Sequence, residues 1–168
     1  MTTVRVRRRD PEDLPALVEV LAAQQSSSSY PLRWPLPFPV EEFLVRPDEE
    51  AAWVAEIEER VVGHVSVCAL DDALRPVFVE AVSSGDLALL TVLFVGLDTL
   101  GLGVGARLHD AAVAWIRETG RIPVLDVVPT HARAVEFYRH RGWREIGTVR
   151  PDWLPEDRPA LTLMVLDD

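Results

Sequence analysis

Hydrophobic and polar residues recur with different periods along the chain, and the changes of period predict where secondary structure begins and ends. Residues 3–9 alternate apolar and charged positions, which predicts a strand. Asp10 and Pro11 form a typical helix start, and apolar residues follow at helical spacing through about Ala23. The first part of the chain therefore predicts a strand followed by a helix.

The middle of the chain begins with a long segment that has no regular period. Four serines and four prolines fall within 26–40, which predicts a mostly irregular loop, and a short helix is expected at 41–45. Two strand-like runs at 51–58 and 61–69 are separated by two charged residues and predict a hairpin. The segment 71–86 is ambiguous and stays unassigned.

The second half of the chain alternates apolar runs with amphipathic stripes. Strands are predicted at 87–95, 122–128, 143–150 and 161–166, and helices at 104–120 and 131–141. The first of these runs is almost wholly apolar, which is typical of a strand buried on both faces. The complete order predicts an α/β fold with a mixed sheet of about seven strands and about four helices. The strand–helix–strand unit from 87 to 128 is expected to be a parallel crossover.

Length and composition favour a single folded domain over residues 1–168. The chain is 48% hydrophobic and 26% charged, close to the average for globular domains of this size. No apolar run approaches the roughly 18 residues of a membrane-spanning helix, and no secretory signal is visible, so we expect a cytoplasmic protein that does not bind membranes. The single cysteine, Cys68, excludes an intrachain disulfide and is expected to fill the core.

The charge balance restricts the possible partners. The formal net charge is −10, and all 17 basic residues are arginine. This charge repels phosphate backbones, so nucleic-acid binding is disfavoured and a cationic partner such as an amine is favoured. The four histidines show no metal-ligand spacing, and we expect no metal site.

The turn from Leu100 to Ala106 is the most informative stretch of the sequence. It lies between a predicted buried strand and an amphipathic helix, and it contains three glycines at alternate positions: Gly101, Gly103 and Gly105. Glycines let a ligand approach the backbone closely, and free amides at a helix start bind anions. The turn therefore predicts an anion site, and a diphosphate suits it.

A dinucleotide-binding site is one interpretation of this turn. Gly101, Gly103 and Ala106 fit the pattern G-x-G-x-x-[GA], and Asp126 lies 20 residues further on, at the end of the next strand. Three features weaken this interpretation. Residues 96–100 separate the turn from its strand, too little chain follows for a second nucleotide-binding half, and three strands and a long loop precede the motif.

Two motifs resemble the GCN5-related N-acetyltransferases (GNAT). From Leu93 the chain reads L-F-V-G-L-D-T-L-G-L-G-V-G-A-R-L, which is similar to the family's motif A, a strand followed by V-x-P-x-x-[QR]-x-x-G-x-[GA]. From His131 to Trp143 the chain resembles the family pattern N-x-x-A-x-x-[FL]-Y-x-x-x-G-[FW]. The two motifs lie one strand apart, as in the family. The resemblance implies a mostly antiparallel sheet and acetyl-CoA as cosubstrate.

The resemblance also implies roles for individual residues. The backbone of Phe94 and Val95 would pair with the pantetheine arm of acetyl-CoA like an added strand. Tyr138 would be the general acid that protonates the departing CoA thiolate, a task that suits a phenol. The remaining cofactor-binding positions are Leu100, Gly101, Leu102, Gly103, Val104, Gly105, Ala106, His131 and Ala134.

Several positions depart from the family pattern. Leu100 replaces the usual Gln or Arg and removes one side-chain contact to the diphosphate, although Arg107 follows on the next turn. His131 replaces an asparagine and is expected to contact pantetheine or to cap the helix. The apolar strand 87–95 contains no acid, so the general base stays unassigned; the candidates are Glu80, Asp86, Asp126 or a water molecule.

Two loops flank the acceptor in this family, and here they are 26–40 and 151–159. They contain Tyr30, Trp34 and Trp153, which are candidates for binding a cationic amine. An equal alternative is that these aromatic residues anchor long loops to the core.

The favoured function is an N-acetyltransferase that moves an acetyl group directly to an amine of a small molecule or a peptide. The alternative is a non-catalytic regulatory module that binds acetyl-CoA, and a distant third is an NAD(P)-dependent oxidoreductase. A homodimer is compatible with the family.

Overall fold

A computed structural model describes residues 2–167. The strands are β1 Arg5–Arg8, β2 Glu49–Ile57, β3 Arg60–Cys68, β4 Leu87–Val95, β5 Ile122–Val127, β6 Arg144–Val149 and β7 Leu161–Val165. The helices are α1 Leu14–Ser28, α2 Val40–Leu44, α3 Arg75–Val82, α4 Val104–Glu118 and α5 Ala132–His140, with single 3-10 turns at Pro11–Asp13 and Leu97–Thr99.

The strands form one seven-stranded sheet in the order β1-β2-β3-β4-β5-β7-β6. β4 and β5 run parallel, as expected for the crossover through α4. Four other neighbouring pairs are antiparallel: β1 with β2, β2 with β3, β5 with β7, and β6 with β7. The predicted α/β class and the mixed, mostly antiparallel sheet are therefore confirmed.

A fifth helix accounts for the segment that the sequence leaves unassigned. α3 begins at Arg75 with a proline in its first turn, buries Phe78 completely, and ends where Ser83 adopts a left-handed φ of 60°. Its hydrophobic period is short, which is why the pattern 71–86 is ambiguous. Across the described residues, none of the helices is both long and apolar enough to cross a membrane.

The first helix is longer than its hydrophobic pattern predicts. α1 continues to Ser28, and Ser29 with φ 61° ends it. The amide of the buried Gln24 donates to the carbonyls of Leu21 and Tyr30, and the Ser28 hydroxyl donates to Gln24 Oε1. These bonds hold the serines in helical conformation despite their modest helix propensity. The irregular loop therefore begins at Ser29 and not at Ser26.

The chain forms two compact units. The first contains the described residues up to Cys68 together with Leu90–Trp115. Its core includes a cluster in which α1, α2, β2 and β4 meet. The buried members of this cluster are Leu17, Leu21, Leu44, Val54, Val92 and Phe94.

The second unit contains Ala69–Leu89 and the described residues from Ile116 onward. Here α3 and the neighbouring strands bury a separate cluster. Its buried members are Leu70, Phe78, Leu87, Leu89, Val124, Leu163 and Val165. β4 contributes to both units, since its first residues belong to the second and its last residues to the first.

Candidate functional site

The glycine-rich turn joins β4 to α4 in the first unit. After β4 ends, the Gly96 amide donates to the Val62 carbonyl at 2.8 Å. The buried Thr99 closes the following 3-10 turn, because its hydroxyl donates to the Gly96 carbonyl at 2.7 Å. The Leu102 amide donates in turn to the Thr99 carbonyl at 3.1 Å. These bonds fix the course of the chain up to the first residue of α4.

The three glycines leave open space beside the backbone of this turn. Gly101 and Gly103 have φ values of +86° and +79°, a conformation that other residues rarely adopt. A Cβ atom at either position would meet nothing within 4 Å. At Gly105, the only neighbour within that distance would be Val95 Cγ1 at 3.9 Å. A ligand therefore has room to approach the main chain at all three positions.

The start of α4 provides hydrogen-bond donors at the same place. The Arg107 amide donates to the Gly103 carbonyl at 3.1 Å. The preceding amides of Val104, Gly105 and Ala106 have no acceptor within the helix, because the first turn of an α-helix provides none. The positive end of the helix dipole favours an anion here. Open glycine positions and free donors together fit the diphosphate of acetyl-CoA.

Side chains around the turn add little to this anion site. Leu97, Leu100 and Leu102 are exposed, and Leu100 reaches 47% exposure without a polar atom to offer. The Arg107 guanidinium donates to the Val4 carbonyl at 3.3 Å, next to β1. The turn therefore offers an anion backbone amides and few polar side-chain groups.

A break in regular strand conformation occurs inside β4, close to the turn. Val92 is 1% exposed and has a φ of 52°, a rare and strained conformation for a β-branched residue. His64 Nδ1 lies 2.9 Å from the Val92 carbonyl oxygen, and Arg9 Nη1 lies 2.9 Å from His64 Nε2. Arg9 also donates to Glu49 Oε2 at 2.6 Å and to the Leu44 carbonyl at 3.2 Å. A polar chain therefore runs from Glu49 to the backbone of β4.

These contacts define the protonation state of His64. A guanidinium only donates, so Nε2 accepts from Arg9 and Nδ1–H donates to Val92. Burial lowers the pKa of His64 to about 4, with further lowering by the charges of Arg9 and Arg46. The imidazole is therefore neutral at physiological pH. His64 is visible in the sequence as a polar residue within an apolar strand. Its contact with the Val92 carbonyl was not predictable, because the left-handed φ of Val92 leaves no signal in the local sequence.

Gly63, beside His64 on β3, is a second residue that sequence reasoning missed. A Cβ atom there would lie 2.9 Å from Leu108 Cδ1, 3.1 Å from the Phe94 carbonyl oxygen and 3.2 Å from Val104 Cγ1. The absence of a side chain thus lets β3 approach β4 and the first turns of α4.

Cys68 at the end of β3 is 1% exposed, as expected for a core residue. Burial, assisted by the nearby Asp48, raises the pKa of its thiol to about 12.

Tyr138 lies on α5 in the second unit. Its side chain is 8% exposed and makes edge contacts with the rings of Phe137 at 5.4 Å and Trp143 at 5.7 Å between centroids. Its backbone carbonyl accepts hydrogen bonds from the amides of Arg141 and Trp143 at 3.0 and 3.1 Å. Packing and backbone bonds therefore hold this phenol in a defined place.

His131 and Ala134 are half-buried, and helical spacing places them on the same side of α5 as Tyr138. His131 makes no side-chain capping bond, so the expected cap is absent; the start of α5 uses the His131 carbonyl, which accepts from the Val135 amide at 3.1 Å. A cavity of about 190 Å³ adjoins this helix. It is lined by Pro129, Ala132, Val135, Glu136, Arg139, Glu145 and Thr162.

The aromatic candidates for the acceptor site have different surroundings. Tyr30 makes an edge contact with Phe43 at 5.8 Å, and both Tyr30 and Trp34 are half-buried against the core cluster of the first unit. Trp153 belongs to the second unit and is 42% exposed. The structure brings Tyr30 and Trp34 together with β4, whose Phe94 belongs to the same cluster.

Comparison with known proteins identifies the family. The sequence profile of the Acetyltransferase (GNAT) family matches residues 16–143. A curated protein of Methanocaldococcus jannaschii, described as an uncharacterized N-acetyltransferase, is 28% identical over 113 residues, which cover 67% of this chain and 46% of that protein. The chain thus matches about half the length of this relative.

Solved structures show the same fold. The ribosomal-protein-S18-alanine N-acetyltransferase of Escherichia coli superposes with a TM-score of 0.70 at 16% identity, covering 98% of this chain and 93% of the other. An aminoglycoside acetyltransferase from an uncultured soil metagenomic sample gives a TM-score of 0.64 at 18% identity, covering 91% and 97%. Because the family profile spans most of the chain and the fold agrees, the chain belongs to the GNAT family of acetyltransferases.

Proposed function

We propose that this chain is an acetyl-CoA-dependent N-acetyltransferase that transfers the acetyl group directly to an amine. The observation that supports it best is the turn at Gly101–Gly105, where open glycine positions adjoin the free amides of α4. Such a turn binds a diphosphate without any basic side chain. Family membership makes acetyl-CoA the expected source of that diphosphate.

Each part of the chain has a defined task in this reaction. The thioester of acetyl-CoA supplies an electrophilic carbonyl, which the neutral amine attacks while losing one proton. The amides of Val104, Gly105 and Ala106 bind the diphosphate, and the backbone of Phe94 and Val95 pairs with the pantetheine arm. The amine proton passes to a water molecule or a carboxylate. The Tyr138 phenol delivers its proton to the departing thiolate and regains one from solvent, so one proton is lost by the amine and one is gained by the CoA thiol.

Charge and the solved relatives point to the acceptor class. The net charge of −10 attracts cationic acceptors. The names of two relatives with the same fold specify an alanine of a ribosomal protein and an aminoglycoside, which are both amines. We therefore propose a cationic amine acceptor, either a small molecule or a peptide, near Tyr30, Trp34 or Trp153.

Ligand-dependent thermal unfolding tests the proposal. The protein is heated with acetyl-CoA, CoA, NAD or NADP in parallel. A ligand at about 100 times its dissociation constant adds roughly 2.7 kcal/mol to the free energy of unfolding. We expect stabilisation by acetyl-CoA and CoA alone. Stabilisation by a nicotinamide cofactor instead would overturn the proposal and return attention to Asp126 as a ribose ligand.

A regulatory module that binds acetyl-CoA without turnover is the second candidate. It is favoured by the absence of an acid within β4 and by Leu100 at a position that usually provides a side-chain contact. Release of free CoA thiol in a panel of amines separates the two candidates. Acetyl-CoA binding with turnover on any amine supports the enzyme, whereas binding without turnover across the panel supports the module.

A further inference from the structure

The strained residue of β4 is placed where it can affect cosubstrate binding. Val92 has a left-handed φ and lies two residues before Phe94, where the backbone proposed to meet the pantetheine arm begins. A β-branched residue in this conformation is strained, and the conformation persists only when its surroundings hold it. The Val92 peptide therefore requires a neighbouring group that holds it in this conformation.

His64 is the side chain that contacts this peptide from within the core. It is completely buried, and Nδ1 lies 2.9 Å from the Val92 carbonyl oxygen. Its ring also stacks on the ring of Phe94, with 5.6 Å between centroids and 23° between planes. One imidazole thus contacts both the strained peptide and Phe94, two residues further along the same strand.

The position of His64 is itself fixed from the other side. Arg9 Nη1 donates to His64 Nε2 at 2.9 Å, and Arg9 Nη2 donates to Glu49 Oε2 at 2.6 Å. Both members of this ion pair are largely buried, with side-chain exposures of 9% and 16%. The arrangement leaves Nδ1–H as the only donor of the ring, and it directs that donor at Val92.

We propose that His64 is a positioning residue for acetyl-CoA: its Nδ1–H holds the Val92 carbonyl and thereby sets the course of the Phe94–Val95 backbone that receives the pantetheine arm. This inference rests on the proposed function, because it assigns a role within the same acetyl-CoA site. It adds a residue that no family motif in the chain contains. Burial lowers the pKa of His64 to about 4, so the ring stays neutral over the physiological pH range, and the contact of Arg9 with Nε2 leaves the proton on Nδ1.

Two substitutions of His64 separate its two hydrogen bonds. The amide nitrogen of Asn is as many bonds from Cα as Nδ1, so His64→Asn retains a donor toward Val92 and loses the contact to Arg9. The amide of Gln reaches the place of Nε2, so His64→Gln retains the contact to Arg9 and loses the donor to Val92. Both remove the stacked ring, which makes them matched controls for packing.

The measurement is calorimetric binding of acetyl-CoA and of ADP, which carries a diphosphate without a pantetheine arm. We expect His64→Gln to weaken acetyl-CoA binding about tenfold, the loss associated with one hydrogen bond, while ADP affinity is unchanged. We expect His64→Asn to bind acetyl-CoA within about threefold of the wild type. Equal affinities in both variants, or equal losses for both ligands, would overturn the inference.

A second measurement on the unaltered protein needs neither ligand nor a variant. Imidazole nitrogen shifts by NMR should show the Nδ1–H tautomer of His64, with a hydrogen-bond coupling to the Val92 carbonyl. The Nε2–H tautomer would overturn the inference even if acetyl-CoA binds. If the tautomer is as expected but the wild type binds no acetyl-CoA, the proposed function fails and the role in cosubstrate binding fails with it.

Discussion

Tyr138 presents a phenol whose ring packs against neighbouring aromatic residues, and its substitution by phenylalanine removes only the hydroxyl group. Tyr138→Phe keeps the edge contacts to Phe137 and Trp143. We expect kcat to fall by about 100-fold, since general acid catalysis contributes about 10²–10⁴-fold, while acetyl-CoA affinity stays unchanged. Steady-state kinetics with the best amine of the panel measures both quantities.

Phe137→Leu is the matched control for Tyr138→Phe, because it removes a ring contact from the same cluster and leaves the phenol in place. It should lower the midpoint of thermal unfolding without a comparable loss of kcat. Turnover by Tyr138→Phe at the wild-type rate would remove Tyr138 from the mechanism.

His64 also makes stability depend on pH. Its pKa is about 4 in the folded protein and about 6.5 when unfolded, so the unfolded state binds a proton that the folded state excludes. The free energy of unfolding should therefore fall as pH drops from 6.5 to 4, by up to about 3 kcal/mol. Arg9 and Arg46 disfavour the imidazolium from nearby, whereas Asp13 favours it.

Urea unfolding between pH 4 and 7 checks this expectation. The His64→Gln variant should lose the part of the slope that histidine contributes, while carboxylates titrate equally in both proteins. One such carboxylate is Asp13, whose pKa is lowered by its hydrogen bond with Arg7. Identical slopes in the wild type and the variant would contradict the buried neutral state of His64.

Elements of this chain differ in how much of them the sequence predicts. β4 lies at 87–95 as the pattern predicts, and α4 begins where its apolar stripe begins, because both depend on local periodicity. The left-handed Val92 and the approach of β3 at Gly63 depend on residues distant in sequence, and no local pattern encodes them. The glycine-rich turn was predictable because its glycines lie close together in the sequence; the His64 contact was not.

The turn before α4 allows a clean test of backbone recognition. In Gly103→Ala, the added methyl group meets no protein atom, but it enters the open space beside the free amides. We expect acetyl-CoA affinity to fall at least tenfold. Separately, the strained φ should lower the free energy of unfolding by about 1 kcal/mol. Titration calorimetry and urea unfolding separate the two effects.

Gly120→Ala controls for that backbone strain. Gly120 follows the other end of α4, has a φ of +80°, and has equally open surroundings. The Gly120→Ala variant should lose about as much free energy of unfolding as Gly103→Ala and should keep the acetyl-CoA affinity of the wild type. Equal affinity losses in both variants would show that strain, and not ligand approach, explains the Gly103 result.

Gly63 lies where β3 closely approaches β4 and α4. In Gly63→Ala the new methyl group would overlap Leu108 and the Phe94 carbonyl, which must move. We expect a loss of about 1–3 kcal/mol in the free energy of unfolding, as for other overpacked cores. Gly85→Ala, where nothing lies within 4 Å, should be neutral or slightly stabilising in the same denaturant measurement. Equal stability of the two variants would refute the close approach.

At the level of the whole molecule, the order of strands and helices along the chain and the family were predictable, whereas the order of strands within the sheet and the acceptor were not. The seven strands were visible as apolar or alternating runs. The family resemblance came from two motifs, each of which is a continuous stretch of sequence. α3 stayed unassigned because its eight residues give too short a period. The acceptor depends on loops such as the one that holds Tyr30 and Trp34, whose conformation is set by packing against distant residues.

The burial of Cys68 has a consequence for the kinetics of the proposed acetyl transfer. It is the only cysteine among 168 residues, and its inaccessible, weakly acidic thiol cannot store an acetyl group between two half-reactions. Direct transfer between two substrates bound at the same time is therefore the expected course of the proposed reaction. Initial-rate plots should intersect, and labelled CoA should not exchange into acetyl-CoA until an amine is added; parallel lines or early exchange would reveal a ping-pong cycle.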